Sequence, residues 1–453
     1  MTLADIERYD PDRVTERGER AIVVGASMAG LQAARVLADA FEAVTVVERD
    51  PLPDEPVARR GVPQAEHVHA MLEPGRVVLE DLFPGYGAEL RDEGGLRIRG
   101  ATDLDLYQQG AFLAEGDAPL PFYCASRPLY EQVARRRVAG HEAITLRDTC
   151  QFTDYVAGDD AGVVEGVAMR DANGDEETLW GEVVVDATGR TSRTPEWLDS
   201  HGYPTPPVDE VAVDLAYSTV VLERPPDTRQ GYLVVPSPPT PRGGTAIPIE
   251  GDRWIVTLFG LHGEHPPTDE SGFRAFAASL PTPVLAELLD DHEWLSEEVR
   301  HYPFPASTRR RYEELDRVPE GLLVTGDALA SFNPIYGQGM SVAALDALAL
   351  HHTLADGIDD LATRFFDRAA AAIDDAWQIA VGADFEFPET TGPKPRGADL
   401  FNRYLSAVVR TSHTDGHVAE AFTRVLRLEV PPTRLLRPDV VRRVVAAEVR
   451  RYV

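Results

Sequence analysis

A short hydrophobic run that ends in a string of small residues constrains the fold of this chain more than any other feature. Residues 21–24 are typical of a buried strand, residues 25–30 read Gly-Ala-Ser-Met-Ala-Gly, and residues 31–40 have helical character. Residues 44–47 predict a second strand. Strand, loop, helix and strand in this order predict a βαβ unit, the building block of α/β domains with a parallel sheet.

The string of small residues predicts a site for a pyrophosphate. Small residues at positions 25, 27 and 30 let backbone amides approach a phosphate at a helix N-terminus, where the helix dipole favours negative charge. Glu48 closes the second strand about 20 residues later, where a carboxylate can accept hydrogen bonds from a ribose. Ser27 replaces the middle glycine of the usual pattern, so a plain strand-to-helix turn remains the alternative. The candidate dinucleotide-binding residues are Gly25, Ala26, Ser27, Ala29, Gly30, Glu48 and Arg49.

Two later segments also run from a hydrophobic strand into a tight turn. Residues 183–193 end in a small turn with two arginines, which can pack against a dinucleotide and offer charge to its phosphates. Residues 322–325 predict another buried strand, and Asp327 follows it where it can hold the ribityl hydroxyls of a flavin. The glycine-containing loop at 333–340 opens a helix and can direct its amides at the flavin pyrimidine ring.

The three motifs together resemble the FAD-dependent monooxygenases of the aromatic-hydroxylase type. They occur in that family's order and span about residues 21–350. Residues 60–69 (Arg-Gly-Val-Pro-Gln-Ala-Glu-His-Val-His) and 332–339 (Phe-Asn-Pro-Ile-Tyr-Gly-Gln-Gly) are similar to the polyether-type epoxidases and their relatives within that family.

The resemblance implies roles for individual residues in FAD binding. Glu48 would bind the adenosine ribose, Asp327 the ribityl chain, and Arg127 would lie near the pyrophosphate. The backbone of Phe152 would meet the adenine. The residues placed in the isoalloxazine loop are Pro334, Gly337, Gly339 and Met340.

The resemblance also implies a reaction. NADPH or NADH would reduce the flavin transiently, and a C4a-hydroperoxyflavin would transfer one oxygen atom to a small apolar alkene or aromatic substrate. An FAD-dependent reductase of isoprenoid double bonds, like geranylgeranyl reductase, is one alternative, although residues 301–305 only partly match that family's signature. A non-catalytic flavin- or lipid-binding protein is another. A halogenase is disfavoured because Lys394, the only lysine, lies far beyond the predicted FAD domain.

His67 and His69 invite two interpretations. Two imidazoles on one side of a strand can share a metal ion, but a metal site needs further ligands and none is nearby in the sequence. We therefore predict no metal. His69 is the candidate catalytic residue, because beside the flavin it can position substrate or relay a proton with a pKa close to working pH.

The pattern of strands, helices and proline breaks predicts an α/β protein of several parts. Residues 1–18 form a polar leader, and residues 19–202 with 306–385 form a discontinuous Rossmann-like FAD-binding domain, built on the βαβ unit with a mixed sheet. Residues 203–305, with proline-rich breaks, form an α+β substrate domain. A break at 388–395 precedes a helical C-terminal module at 395–453.

The charge of the chain limits its partners. A net charge of -31 repels nucleic-acid phosphates, so we expect no nucleic acid to bind. The same acidity, with arginine in place of lysine almost throughout, is typical of a halophile's proteins. Two cysteines provide no disulfide framework, and the polar, mixed-charge N-terminus does not have the pattern of a signal peptide. We therefore expect a cytoplasmic protein.

The C-terminal module is basic within this acidic chain. Residues 401–453 contain ten arginines and five acidic residues, a local charge of +5. Valines at helical spacing from Val440 to Val453 can pack on the acidic body of the protein. Peripheral contact with an anionic membrane, to reach a lipid-like substrate, is the alternative.

Overall fold

Hydrophobic runs separated by helices place most strands of this chain in two large sheets. The computed structural model describes residues 2–15, 18–158 and 162–452. The strands are β1 (Gly18–Val24), β2 (Phe41–Val47), β3 (Leu96–Arg99), β4 (Leu104–Gln108), β5 (Ala111–Phe112), β6 (Pro121–Cys124), β7 (Ile144–Arg147), β8 (Gln151–Ala157), β9 (Val164–Arg170), β10 (Glu176–Trp180), β11 (Val183–Asp186), β12 (Val208–Glu223), β13 (Gly231–Val234), β14 (Arg242–Ile249), β15 (Arg253–Gly260), β16 (Arg300–Arg310), β17 (Leu322–Val324) and β18 (Ala330–Ser331). The α-helices are α1 (Met28–Ala40), α2 (Glu73–Leu82), α3 (Tyr86–Asp92), α4 (Arg127–Ala139), α5 (Thr194–Ser200), α6 (Glu270–Ala278), α7 (Val284–Asp291), α8 (Gly339–Ala355), α9 (Leu361–Asp384), α10 (Ala398–Ser412), α11 (Gly416–Leu426) and α12 (Pro438–Tyr452).

The βαβ unit lies at the centre of a five-stranded sheet in the order β17-β11-β1-β2-β7. Ala21 on β1 pairs with Val183 on one side and Val44 on the other, so the first two motifs of the sequence are neighbours. All four pairings in this sheet are parallel, which confirms the α/β class but corrects the predicted mixed sheet. Strands β8, β9 and β10 pair antiparallel in a separate sheet in the order β10-β9-β8. The polar turn at 171–174 joins β9 to β10 rather than to β11, so this ribbon does not enter the parallel sheet.

The first helix begins earlier than the sequence predicted. We expected a loop to residue 30, whereas α1 begins at Met28, so that Ala29 and Gly30 belong to its first turn. Small side chains allow this early start, since the helix backbone can then pack directly against the preceding loop. The helices predicted at 74–82, 128–138 and 339–354 are confirmed to within one residue at each end by α2, α4 and α8.

The second large sheet has eight strands in the order β18-β16-β12-β15-β14-β13-β4-β5. The strands predicted at 211–222 and 254–259 form β12 and β15, which pair antiparallel from Ala216 with Gly260 to Glu223 with Arg253. The sheet also takes in β4, which lies before the predicted substrate domain, and β16, which crosses its predicted end at residue 305. The domain limits therefore stay a prediction, and the sheet itself is the unit that faces the site.

The C-terminal helices α10, α11 and α12 pack on one another around a small apolar core. Val440 and Val444 are buried in it, whereas Val445 and Val449 are more than half exposed, so only part of the predicted valine stripe is covered. Val453 lies outside the described residues, as do residues 1, 16 and 17 of the predicted leader. No helix in the described ranges is long and apolar enough to cross a membrane.

The segment around Arg427 and Leu428 is hydrogen-bonded to the body of the protein and to the N-terminal residues. The buried Arg427 guanidinium donates hydrogen bonds to the Leu120 carbonyl at 2.7 Å and to the Glu73 carboxylate at 2.8 Å. The Leu3 amide donates to the Leu428 carbonyl at 3.2 Å. These bonds hold the C-terminal helices against the body of the protein, where they form part of the site.

Candidate cofactor and substrate site

One cavity of about 570 Å³ collects the motifs that the sequence singled out. Twelve of the fourteen predicted cofactor-binding residues line it, and only Ala26 and Gly30 do not. His69 lines the same cavity. It extends from the carboxyl end of the parallel sheet to the face of the eight-stranded sheet, which is where ligands bind in α/β proteins of this topology.

The glycine loop after β1 has no room for side chains at its two ends. Gly25 has a φ of +108°, and a Cβ there would lie 2.5 Å from the Ala187 carbonyl oxygen. A Cβ on Gly30 would lie 1.9 Å from the Gly25 carbonyl oxygen. Glycine is therefore required at both positions, one to turn the chain and the other to let α1 pack against the loop, as a dinucleotide-binding loop requires.

Ser27, which replaces the middle glycine of the pattern, has a partner of its own. The Arg127 guanidinium donates a hydrogen bond to the Ser27 hydroxyl at 2.7 Å. That hydroxyl lies 3.3 Å from the Glu131 carboxylate, which also pairs with Arg127 at 3.1 Å. Although burial opposes ionisation, Arg127 and Arg59 hold the pKa of Glu131 below its usual value. The serine thus connects the loop to a buried arginine on α4, beside the helix N-terminus.

Glu48 is held in place by charges that the sequence analysis missed. Its carboxylate accepts a hydrogen bond from the Ala26 amide at 2.9 Å and pairs with Arg59 at 3.0 Å. Arg59 also pairs with Glu131 at 2.7 Å, so one buried guanidinium joins the ribose candidate to the pyrophosphate loop. The i, i+4 spacing of Arg127 and Glu131 on a predicted helix was an available signal, whereas nothing local to Arg59 distinguishes it from the exposed Arg60.

The second motif braces the cavity with a buried carboxylate. Asp186 at the end of β11 accepts hydrogen bonds from the Thr188 amide at 2.8 Å and the Thr194 hydroxyl at 2.6 Å. Arg190, one of the two arginines predicted to meet phosphate, lines the cavity but donates to the Ser331 hydroxyl at 2.9 Å and stacks 4.3 Å from the Phe304 ring centre. The turn is therefore a rigid support, fixed to both large sheets.

The third motif places Asp327 at the end of β17. Gly326 has a φ of +63°, and a Cβ there would lie 2.7 Å from the Ala29 side chain, so this turn packs against the start of α1. Burial raises the pKa of Asp327, while Arg190 and Arg127 oppose the effect. Beneath the turn, the Asp346 carboxylate accepts hydrogen bonds from the Thr325 hydroxyl at 3.3 Å and the Gly326 amide at 3.2 Å.

The loop before α8 is fixed by a buried carboxylate at the end of α9. Asp384 accepts hydrogen bonds from the Asn333 side-chain amide at 2.7 Å and the Tyr336 hydroxyl at 2.9 Å, and burial raises its pKa to about 7. Gly337 has a φ of +64° and approaches Ala70. The side-chain amide of Gln338 is 1 % exposed, lines the cavity and has no hydrogen-bond partner among the described residues.

The side chains of His67 and His69 lie in different surroundings. The His67 ring contacts the Thr219 hydroxyl at 2.7 Å and packs edge-on against Tyr217, and it does not line the cavity. The His69 Nδ1–H donates to the His67 carbonyl at 3.0 Å, which leaves Nε2 as a hydrogen-bond acceptor. Burial, with Arg127 nearby, lowers the pKa of His69 to about 4. His69 is therefore neutral at working pH, whereas the sequence led us to expect a pKa close to that pH.

The other half of the cavity is apolar. Leu106, Ile247 and Phe259 come from the eight-stranded sheet, and Phe422 and Leu426 come from α11 of the C-terminal module. From the sequence we expected residues 203–305 to build the substrate pocket, and the structure adds α11 to it. The contribution of α11 has no sequence signal, because apolar side chains on an amphipathic helix are most often core residues.

Protein Rv3254 and a monooxygenase are among the known proteins similar to this chain. Protein Rv3254 from Mycobacterium tuberculosis is 32% identical over 431 residues, covering 91% of this chain and 90% of that protein. The 6-methylpretetramide 4-monooxygenase of Streptomyces rimosus is 27% identical over 363 residues, covering 77% of this chain and 78% of that enzyme. No family model matches the chain.

Among solved structures, the flavin-dependent brominase Bmp2 has a similar fold. The two superpose with a TM-score of 0.66 at 15% identity, covering 96% of this chain and 99% of the brominase. At this identity the likeness concerns the fold alone.

Proposed function

The chain belongs to the family of Protein Rv3254 and is an FAD-dependent oxidoreductase, and on that basis we propose that it is an NAD(P)H-dependent monooxygenase acting on an apolar alkene or aromatic substrate. The observation that carries the proposal is that the cofactor motifs and an apolar pocket share one cavity. A monooxygenase needs both in the same space, since oxygen activation and substrate must meet away from water.

The residues present fit FAD. Gly25 and Gly30 leave a cradle that any side chain would fill, at the N-terminus of α1. Arg127 and Ser27 lie beside that helix end for the pyrophosphate, and Glu48 faces the cavity for the ribose. Asp327 adjoins the loop before α8, where the unpartnered amide of Gln338 can meet a polar heterocycle.

In the proposed reaction, substrate, O₂, NAD(P)H and a proton give oxygenated substrate, water and NAD(P)⁺. When bound, FAD supplies the two-electron chemistry that activates O₂. The protein positions the substrate against the apolar walls of the cavity and excludes water. The neutral His69 has Nε2 free to accept a hydrogen bond, so it can orient a hydroxyl group or receive its proton.

The test is isotopic. FAD-loaded protein is given NADH or NADPH and ¹⁸O₂ with a panel of aromatic compounds, polyenes and isoprenoid lipids, and products are analysed by mass spectrometry. We expect one ¹⁸O atom per product and a matching consumption of reductant. An epoxide from a polyene would support the epoxidase resemblance of residues 60–69 and 332–339. A saturated product without ¹⁸O would refute the proposal in favour of an isoprenoid reductase, and absence of FAD retention would favour a non-catalytic protein.

We also propose that α12 contacts anionic membranes peripherally. Val445 and Val449 are exposed on the same helix as Arg442 and Arg450, an arrangement typical of interfacial helices. Flotation with phosphatidylserine vesicles tests this at working salt, with neutral phosphatidylcholine vesicles as the control. Absence of co-flotation with either would end the idea.

A further inference from the structure

A carboxyl group without a partner lies in the wall of the substrate half of the cavity. Glu386 follows the end of α9, and no described residue forms a hydrogen bond or ion pair with its side chain. Its backbone amide donates to the Ala383 carbonyl at 3.0 Å, so the residue is anchored while its carboxyl group is free. Of the other acidic residues that line this cavity, Glu48 pairs with Arg59, and Asp327 lies in the cofactor half at the end of β17, so Glu386 is the acidic residue of the substrate half.

Glu386 also marks the point where two cavities meet. A second cavity of about 720 Å³ shares only Val235 and Glu386 with the first. Gln109, Asn402 and Arg403 are among the residues that give its wall a polar character. A molecule that spans both cavities would have its apolar part beside the loop before α8 and a polar part next to Glu386.

Glu386 is only partly exposed, and its surroundings disfavour the charged form of its carboxyl group. Burial alone raises the pKa of Glu386 to about 7, and no positive group opposes the effect. In an apolar pocket, a few polar groups of this kind determine which ligand binds and in which orientation. A hydrogen-bond donor on the substrate would stabilise the charged form, because hydrogen bonds to charged groups are among the stronger ones.

We propose that Glu386 is a specificity-determining residue that binds a hydrogen-bond-donating group, a hydroxyl or an ammonium, on an otherwise apolar substrate entering through the second cavity. The proposal rests on the monooxygenase function in naming this ligand a substrate. Its test uses binding alone, without reductant, so that failure of oxygenation and failure of recognition give different results.

The experiment measures the affinity of FAD-loaded protein for three matched probes by equilibrium dialysis. The probes are 2-naphthol, 2-methoxynaphthalene, which cannot donate a hydrogen bond, and 2-naphthylmethylamine. We expect at least one donor probe to bind about tenfold more tightly than the methyl ether, as a hydrogen bond to a carboxylate predicts. In Glu386→Leu this preference should fall to about twofold, with the affinity for the ether nearly unchanged. The matched control is Glu389→Leu, an exposed glutamate on the same segment, which should keep the full preference.

Glu386→Gln separates the two donor classes and guards against a folding defect. The amide is nearly the same size and removes only the charge, so the protein should fold. If Glu386→Gln loses only the preference for the amine, the group that Glu386 binds is an ammonium. If Glu386→Gln keeps the preference for naphthol and Glu386→Leu loses it, the group is a hydroxyl. Equal affinity of the wild type for all three probes overturns the proposal. A donor preference that survives in Glu386→Leu overturns it as well.

Discussion

Asp346 is predicted to destabilise the folded protein at neutral pH. Its side chain is 1 % exposed on α8, and burial raises its pKa from 3.8 to about 7. One carboxylate oxygen accepts the hydrogen bonds from Thr325 and Gly326, and the other has no partner among the described residues. Asp346→Asn keeps an accepting oxygen in place and removes the titration.

The size of the effect follows from the difference between the two pKa values. A raised folded-state pKa means that the folded protein holds its proton while the unfolded chain releases it. The contribution to stability is therefore complete below pH 3.8 and is lost as the pH rises to about 7. The loss amounts to about 1.4 kcal/mol per pH unit, or about 4 kcal/mol in all. With an unfolding entropy of about 2.1 cal/mol/K per residue, this corresponds to roughly 4 °C in Tm for a chain of this length.

The assay is differential scanning calorimetry of FAD-loaded wild type and Asp346→Asn between pH 4 and pH 8. The Tm of the variant should rise relative to the wild type by about 4 °C over this range and level off above pH 7. Asp367→Asn, at an exposed position on α9, serves as the control and should show no such trend. A constant difference in Tm, or one that shrinks with rising pH, would refute the reasoning.

Three further predictions concern the cofactor half of the site. Gly30→Ala should be purified with little FAD, because its Cβ would collide with the loop, whereas Gly382→Ala, a helical glycine whose Cβ would meet Asn402 only at an ordinary contact distance of 3.8 Å, should retain the normal flavin absorbance. Arg59→Ala should cost about 3–5 kcal/mol, because it leaves the buried Glu48 carboxylate without an ion-pair partner and removes one partner of Glu131, and a Tm equal to that of the exposed Arg60→Ala would contradict this. His69→Ala should lower kcat about 100-fold without changing the shape of the pH profile from pH 6 to pH 8, and loss of an inflection near pH 6.5 would show that its proton does titrate there.

The parts of this protein that sequence could predict are local in the chain. The βαβ unit and the loops at 25–30 and 333–340 combine strand, turn and helix within a few tens of residues, so their patterns are complete in one segment. Their convergence on one cavity followed because the carboxyl ends of β1, β11 and β17 lie at one edge of a parallel sheet. The start of α1 was misplaced because small residues suit both a loop and a first helical turn.

The parts that sequence could not predict depend on contacts between distant segments. Arg59 acquires its importance from two acidic residues, one of them 72 positions away, and only the folded chain brings them together. The pKa of His69 falls because it is buried beside an arginine from α4, whereas the sequence shows only an imidazole with its ordinary value. Glu386 carried no pattern at all, since its interest lies in the absence of partners around it.

The contribution of α11 to the cavity has a consequence for how the protein is made and how it can diverge. The cofactor loops are complete by residue 340, whereas Phe422 and Leu426 leave the ribosome only after a further stretch of chain has been made. A nascent chain can therefore assemble its nucleotide-binding half well before its substrate compartment is enclosed. Recombination that exchanges only α10 to α12 between relatives would alter the shape of that compartment while leaving the inherited cofactor machinery intact.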